Sequence, residues 1–373
     1  MTEVGGTRVG WYVHHHGRGH VGRLLAIAPH VAGEILCFSS LPEPADLPTN
    51  CTWILLDRDN TEEPETGGPV QDRNPNANGL LHWAPLRHTG HRRRLTTIAT
   101  ALEETPVSAF VVDVSAEVAL FVRLLGVPIV LITQPGERTD MPHTLAFRAA
   151  TTIIAPWPAE VLQPDHLNEF LNVVYVGGIS RFADRVTDDA VSDSHADAGA
   201  SVARVRSGVL VLGSAGGTDV TSESITAAAD ATPDLAWTAL GVPGHGDGAW
   251  TADVWNDLRS AEIVVAWAGQ NSVADLAAAD VNAVVIPQSR PFAEQVQTAD
   301  ALGRAGLAVV EPSWPSAHAW PDLLARALAL QPEWSRWRTA GAAQRAAAEI
   351  NAVANGSAHE HGHGNGNDHG FTS

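Results

Sequence analysis

Short runs of branched and aromatic residues recur along the chain at intervals that leave room for one helix between neighbours. Val9–Val13, Ile35–Phe38 and Trp53–Leu56 read as strands, and Val21–Val31 has the apolar spacing of an amphipathic helix. Thr61–Gly79, rich in Pro, Gly, Asn and Glu, reads as an exposed loop. Leu86–Glu104 has helical spacing, Ala109–Val112 is a strand ending at Asp113, and Glu117–Leu125 is helical. Pro128–Ile132, Ile153–Ala155 and Val173–Val176 are further strands. Strands alternating with helices at this spacing imply parallel sheets covered on both faces.

The pattern stops at Gly177–Gly178, so residues 1–180 form a first domain. Residues 181–206 turn polar, with Asp-Asp and Ser-Asp-Ser steps, and read as a linker. A second series opens at Val209–Leu212 with a strand, a Gly-rich turn and a helix. Its later strands are Leu235–Leu240, Ile263–Ala266, Ala283–Ile286 and Ala308–Val310, and helical segments at Trp320–Leu330 and Glu333–Val353 complete a domain spanning 207–354. Residues 355–373 are Gly-, Asn- and His-rich, without an apolar pattern, and are expected to stay outside the fold. The expectation is an α/β protein of two parallel-sheet domains facing a cleft, with ligands beyond the carboxyl ends of the strands.

Composition narrows the function. The 373 residues suit two domains, and a formal net charge of −19 argues against a nucleic-acid partner. An acidic chain can still build a local anion site from backbone N–H groups and helix N-termini. All 23 basic residues are Arg. Two cysteines, Cys37 and Cys51, cannot make a disulfide framework or a zinc cluster and read as buried thiols of a reducing compartment. No apolar run approaches the roughly 18 residues of a spanning helix, and the N-terminus has no secretion-signal pattern, so a cytoplasmic location is expected. His359, His361, His363 and His369 could hold a metal weakly, but such tails do so without a biological role, and no metal or cofactor is expected.

The most informative stretch is Ala261–Val310. Gly269 ends a strand turn and a helix from about Val273 follows; its start, with Gln270, Asn271 and Ser272, offers free N–H groups to a phosphate. Asp275 lies within reach of ribose hydroxyls, and Glu294 with Gln295 offers acceptors and a donor for sugar hydroxyls. The run Ala-Gly-x-x-Ser-x-x-Asp-Leu, then Val-x-Ile-Pro, Glu-Gln-x-x-x-Ala and Gly-x-Ala-x-Val resembles the donor-binding domain of GT-B glycosyltransferases, in particular the family-28-like enzymes. The resemblance implies Asp275 on the ribose and Glu294 with Gln295 on the donor sugar. It implies that Val209–Thr218, with Gly213, Ser214, Gly216 and Gly217, is the strand and Gly-rich loop opening the second domain. It also places Trp250–Val254 where that family cups the base.

In the first domain, Val13–Arg23 contains Gly17-Arg18-Gly19-His20 and resembles the family's first Gly-rich loop, with His20 at its histidine. Capping or lining the loop is the competing role for His20. The run His14-His15-His16 departs from the family's Gly-rich version. In a related branch of GT-B enzymes an Asp near such a strand end orients the catalytic histidine, a resemblance that makes Asp113 a candidate to orient His20; Thr133–Glu137 matches the family's loop facing the acceptor, or is a plain strand-to-helix turn. His82–Leu95 is a basic island, read either as a solvated helix start or as a contact with a phosphorylated acceptor or, peripherally, with an anionic lipid surface at the inner face of a membrane.

Taken over about residues 8–350, the resemblance implies a GT-B fold and an inverting, metal-independent transfer of a hexose or N-acetylhexosamine from a UDP-linked donor to a hydroxyl acceptor, which could be lipid-linked. His20 would act as base and the diphosphate would be held by N–H groups, with Arg18 or Arg23 assisting. Such chemistry serves cell-envelope or glycoconjugate synthesis. A sugar-nucleotide epimerase or hydrolase, and a non-catalytic metal or nucleotide-sugar binder, are the alternatives. A dinucleotide dehydrogenase fits less well, because neither Gly-rich loop gives Gly-x-Gly-x-x-Gly with an acid at the right distance.

Overall fold

The computed structural model describes residues 7–59, 74–183, 185, 206–213, 218–242 and 253–357. The polar segment 186–205, Ser214, Gly216, Gly217, Trp250, most of the Thr61–Gly79 loop and the His-rich tail from 358 lie outside the described residues. The first sheet comprises β1 (Arg8–Tyr12), β2 (Glu34–Ser39), β3 (Cys51–Leu55), β4 (Ala109–Asp113), β5 (Ile129–Ile132), β6 (Thr152–Ala155) and β7 (Val173–Tyr175). Its seven strands are parallel, in the order 3-2-1-4-5-6-7. The connections carry α1 (Gly19–Ile27), α2 (Thr89–Glu104), α3 (Ala116–Leu124) and α4 (Met141–Ala149). Every residue of β4, β5 and β6 is buried, which is why these strands read as unbroken apolar runs.

The second sheet holds β8 (Val209–Leu212), β9 (Trp237–Leu240), β10 (Ile263–Ala266), β11 (Asn282–Val285) and β12 (Val309–Val310), again parallel, in the order 12-11-10-8-9. Around it pack α5 (Ser222–Asp230), α6 (Trp255–Ser260), α7 (Gln270–Ala279), α8 (Glu294–Arg304) and α9 (Trp320–Ala329). Both sheets bear out the expected α/β architecture. Helix α7 begins at Gln270, three positions earlier than expected, directly after the Gly269 turn.

The segment Glu333–Val353 departs from expectation. Instead of one helical run it forms a turn at Trp334–Trp337 and then α10 (Ala342–Ala354), split by left-handed residues Arg338 (φ 56°) and Gly341 (φ 71°). Helix α10 crosses back to the first domain. Ala343, Ala346, Ala347 and Ile350 share a core with Val9, Trp11, Leu24 and Ile27. The outgoing and returning chains cross at Gly177–Gly178. Gly178 donates its N–H to the carbonyl of Trp337 at 3.0 Å, and a Cβ on Gly178 would stand 2.3 Å from the indole of Trp337.

These orders fix where a ligand can sit. In the first sheet the chain reverses direction of growth between β1 and β4, and in the second between β8 and β10. Such points leave a crevice at the strand ends, because successive connections depart to opposite faces. The loops there begin at Val13 and Val114 in one domain, and at Gly213 and Trp267 in the other.

Candidate functional site

At the first crevice, β1 leads through exposed Gly17 (φ 76°) and Arg18 into α1, whose first turn carries His20. His20 is 8% exposed, and its Nδ1 lies 3.0 Å from Oδ1 of fully buried Asp113 at the end of β4. Arg23, one turn on, donates Nη1 to the same Asp113 oxygen at 2.6 Å. Burial alone would raise the Asp113 carboxyl; Arg23 and His20 hold it below the ordinary value, so it stays ionised. The structure places His20 beside Asp113, and Arg23, 3% exposed, is spent on Asp113 and Gln270. Val114, next after Asp113, adopts φ 68°, a costly conformation for a branched side chain. Ser115 then caps α3, accepting from the N–H of Val118.

The histidine run stacks against itself. The His14 and His15 rings lie 5.0 Å apart at 7°, and His16 packs on both. Burial, and for His14 the neighbouring imidazoles, push His14 well below its usual value and His15 down to about 4, so both are neutral.

At the second crevice, Gly269 precedes α7, which starts without a side-chain cap, as does α1. The two helix starts meet. Asn271 donates Nδ2 to the carbonyl of Gly19 at 3.0 Å, Arg23 donates Nη2 to Gln270 at 2.8 Å, and a Cβ on Gly22 would stand 3.2 Å from Asn271. Ser272 lies half-buried beside them, its hydroxyl near Gly269. Each start carries the positive end of a helix dipole, so their meeting is electrostatically costly unless an anion lies between them.

Asp275 is placed further in. Its Oδ1 accepts from the Ser180 hydroxyl at 2.7 Å, Arg181 Nε lies 3.5 Å from Oδ2, and burial pushes its carboxyl up to about 6. Gly213 corrects an expectation. Its N–H is given to the carbonyl of Leu240 at 2.8 Å, so it cannot serve a diphosphate. The position is crowded instead, since a Cβ would meet the Gly241 carbonyl at 2.3 Å. Val254 is buried in the core beside Trp255, where α6 begins.

Glu294 and Gln295 open α8. Gln295 accepts the N–H of Gln288 at 2.9 Å, and its Nε2 faces Gly269. Glu294 is raised by burial and lowered in part by Arg138, His20 and Arg23, which places the acid within electrostatic reach of both domains' charged groups. Arg138, 5% exposed, donates Nη2 to Glu294 across the cleft at 3.2 Å. Gly136 donates to Gln297 at 2.7 Å and Glu137 to the Phe292 carbonyl at 2.7 Å. The Thr133–Glu137 loop thus lies against the second domain. Sequence reasoning missed Arg138, His143 and Ser180. The one available signal was Asp140-Met-Pro, an N-cap pattern that announces α4 and the residues it carries.

The basic island is divided. Leu86, Arg87, Arg92 and Arg93 are exposed. His88 caps α2, and buried Arg94 pairs with Asp59 and donates to the Tyr12 hydroxyl at 2.7 Å. Among the described residues no helix is long and apolar enough to cross a membrane.

No protein-family model and no curated protein matches the chain. Solved structures do. MurG of Acinetobacter baumannii superposes with a TM-score of 0.55 at 13% identity, covering 94% of this chain and 99% of that one. A UDP-glucosyltransferase from Polygonum tinctorium gives 0.60 at 12% identity, covering 94% and 99%. Phytolacca americana UGT2, complexed with UDP-2fluoro-glucose and pterostilbene, gives 0.58 at 15%, covering 93% and 95%. These likenesses cover nearly the whole chain, and with the paired crevices they identify the architecture as the GT-B fold: two Rossmann-like domains facing a cleft.

Proposed function

We propose that the chain is a glycosyltransferase that moves a hexose or N-acetylhexosamine, with inversion, from a UDP-linked donor to a hydroxyl acceptor. The observation that carries this is the meeting of two uncapped helix starts, α1 at Gly19 and α7 at Gln270, beside His20 and within reach of Glu294. A diphosphate between them would relieve the repulsion of the two dipoles and satisfy their free N–H groups. Gln270, Asn271, Ser272 and Gly269 line one side, and Gly17, Arg18 and Gly19 the other. Asp275 takes the pentose hydroxyls in exchange for the Ser180 donor, and Val254 backs the base. Ser214, Gly216 and Gly217 stay assigned to the donor loop, with Gly213 shaping its start. Glu294 and Gln295 take the sugar hydroxyls.

With Nδ1 turned to ionised Asp113, His20 keeps its Nε2 lone pair for the acceptor. Nε2 takes the acceptor hydroxyl proton, the oxygen forms its bond to the anomeric carbon from the face opposite the diphosphate, and the bond from that carbon to the diphosphate oxygen breaks. The departing charge stays on the nucleotide at the helix starts. A thermal-shift panel of UDP- and dTDP-sugars tests the reading. One sugar nucleotide should raise the melting temperature, and the shift should vanish in Asp275→Ala. A panel with no stabilising ligand would overturn it.

A further inference from the structure

Arg138 spends its guanidinium on both domains at once. Nε donates to the Gln134 and Pro135 carbonyls at 3.0 Å each, and Nη2 to Gln134 Oε1 at 2.9 Å and Glu294 Oε2 at 3.2 Å. Nη1 lies 2.9 Å from His143 Nε2. Arginine can only donate, so His143 Nε2 accepts and its proton sits on Nδ1, which faces Asp140 Oδ1 at 2.6 Å. Asp140 is held in turn by His82 Nε2 at 3.0 Å and by capping α4.

His82, Asp140 and His143 bring one ligand atom each within 4.8 Å of one another, a grouping that could suggest a metal site. The hydrogen bonding excludes that use in this arrangement. Both nitrogens of His143 are committed, and a metal on Nδ1 would put a proton on Nε2, pointing at the Arg138 donor. The group instead fixes the direction of Arg138. Phe292 completes the seam from the second domain, with its ring 5.0 Å from the Arg138 guanidinium and edge-on to His143 at 4.7 Å. Phe292 and Ala293 both take left-handed backbone, at φ 60° and 54°, and this turn delivers the Phe292 carbonyl to the Glu137 N–H.

We propose that Arg138 is a positioning residue for the donor sugar. It holds the Glu294 carboxylate in place from the opposite domain, so that sugar hydroxyls are recognised only when the β5 loop is docked on α8. The inference rests on the transferase reading for what Glu294 binds. Its chain of support runs through this protein's own contacts: His82 and Asp140 set His143, His143 sets Arg138, and Arg138 sets Glu294. Nucleotide binding, which falls to α7, is independent of that chain.

The test compares the full-length wild type with Arg138→Gln, Glu294→Gln and the double variant. Dissociation constants are measured for UDP, UDP-glucose and UDP-N-acetylglucosamine. The wild type should bind a UDP-sugar more tightly than UDP, and a wild type without that preference overturns the proposal. Arg138→Gln should cut that preference by about tenfold with UDP affinity unchanged, and the double variant should lose no more than Glu294→Gln alone. Arg138→Lys keeps the cation but cannot span Gln134, His143 and Glu294 together, and should give a smaller loss of the same kind. If Arg138→Gln does not fold, Arg138→Lys decides: an unaltered sugar preference overturns the proposal. Equal loss for UDP and UDP-sugar, or additive losses in the double variant, also overturns it. A wild type that binds none of the three ligands overturns the parent reading and this one with it.

Discussion

Replacing Asp275 by Asn should make the protein more stable and worse at holding a nucleotide. The carboxyl is 5% exposed, the Ser180 hydroxyl donates to it at 2.7 Å, and Arg181 Nε lies 3.5 Å from its other oxygen, offsetting only part of the desolvation. Burial pushes its pKa up to about 6 from an ordinary 3.8. The folded protein therefore holds this proton more tightly than the unfolded chain. Stability is full below the unfolded value and is lost as the pH rises through the folded one. The loss amounts to about 3 kcal/mol at about pH 7.5 and about half that at about pH 5. Asparagine keeps an oxygen for Ser180 and has no charge to desolvate. Melting curves at the two pH values should show Asp275→Asn ahead by roughly 6–12 °C at the higher pH and by about half that at the lower. UDP affinity should fall about tenfold, since an amide is a weaker partner than a carboxylate for ribose hydroxyls. A variant no more stable than wild type at the higher pH, or an advantage that does not shrink on acidification, would refute the claim that this charge is held at a cost.

Two other outcomes follow from the geometry. His20→Ala should lower the rate of UDP release from a bound UDP-sugar by about 10²–10⁴-fold while leaving the dissociation constant of the donor unchanged; a rate within twofold of wild type would remove His20 from the base role. Gly178→Ala puts a methyl 2.3 Å from the Trp337 indole and should destabilise by about 1–3 kcal/mol, read as a lower urea midpoint, whereas an unshifted midpoint would show that the seam between outgoing and returning chains can give way.

Much of the fold was legible because parallel strands buried on both faces are written as plain apolar runs. Ile129–Ile132 and Ile263–Ala266 are examples, and both lie where they were expected. The Gly269 turn and the His20 loop could be placed because each follows such a run and opens a helix. The hidden parts depend on contacts between segments far apart in sequence. Nothing around Arg138 signals that its partner is Glu294, and nothing in Gly213 shows that its N–H goes to Leu240 rather than to a ligand. The Glu333–Val353 segment has helical composition throughout, and its break at Arg338 is imposed by the crossing at Gly177–Gly178, where Arg345 donates to the carbonyls of both Val176 and Arg338.

Helix α10 makes the first domain's completion wait for the second. Val9, Trp11 and Leu24 are synthesised long before the alanine-rich face that covers them. Until then a strip of the first sheet's flanking core is open to water, and a nascent chain has reason to meet a chaperone. A fragment ending near residue 206 would carry the same open strip permanently, so the two halves are better expressed as separate chains only if α10 travels with the first.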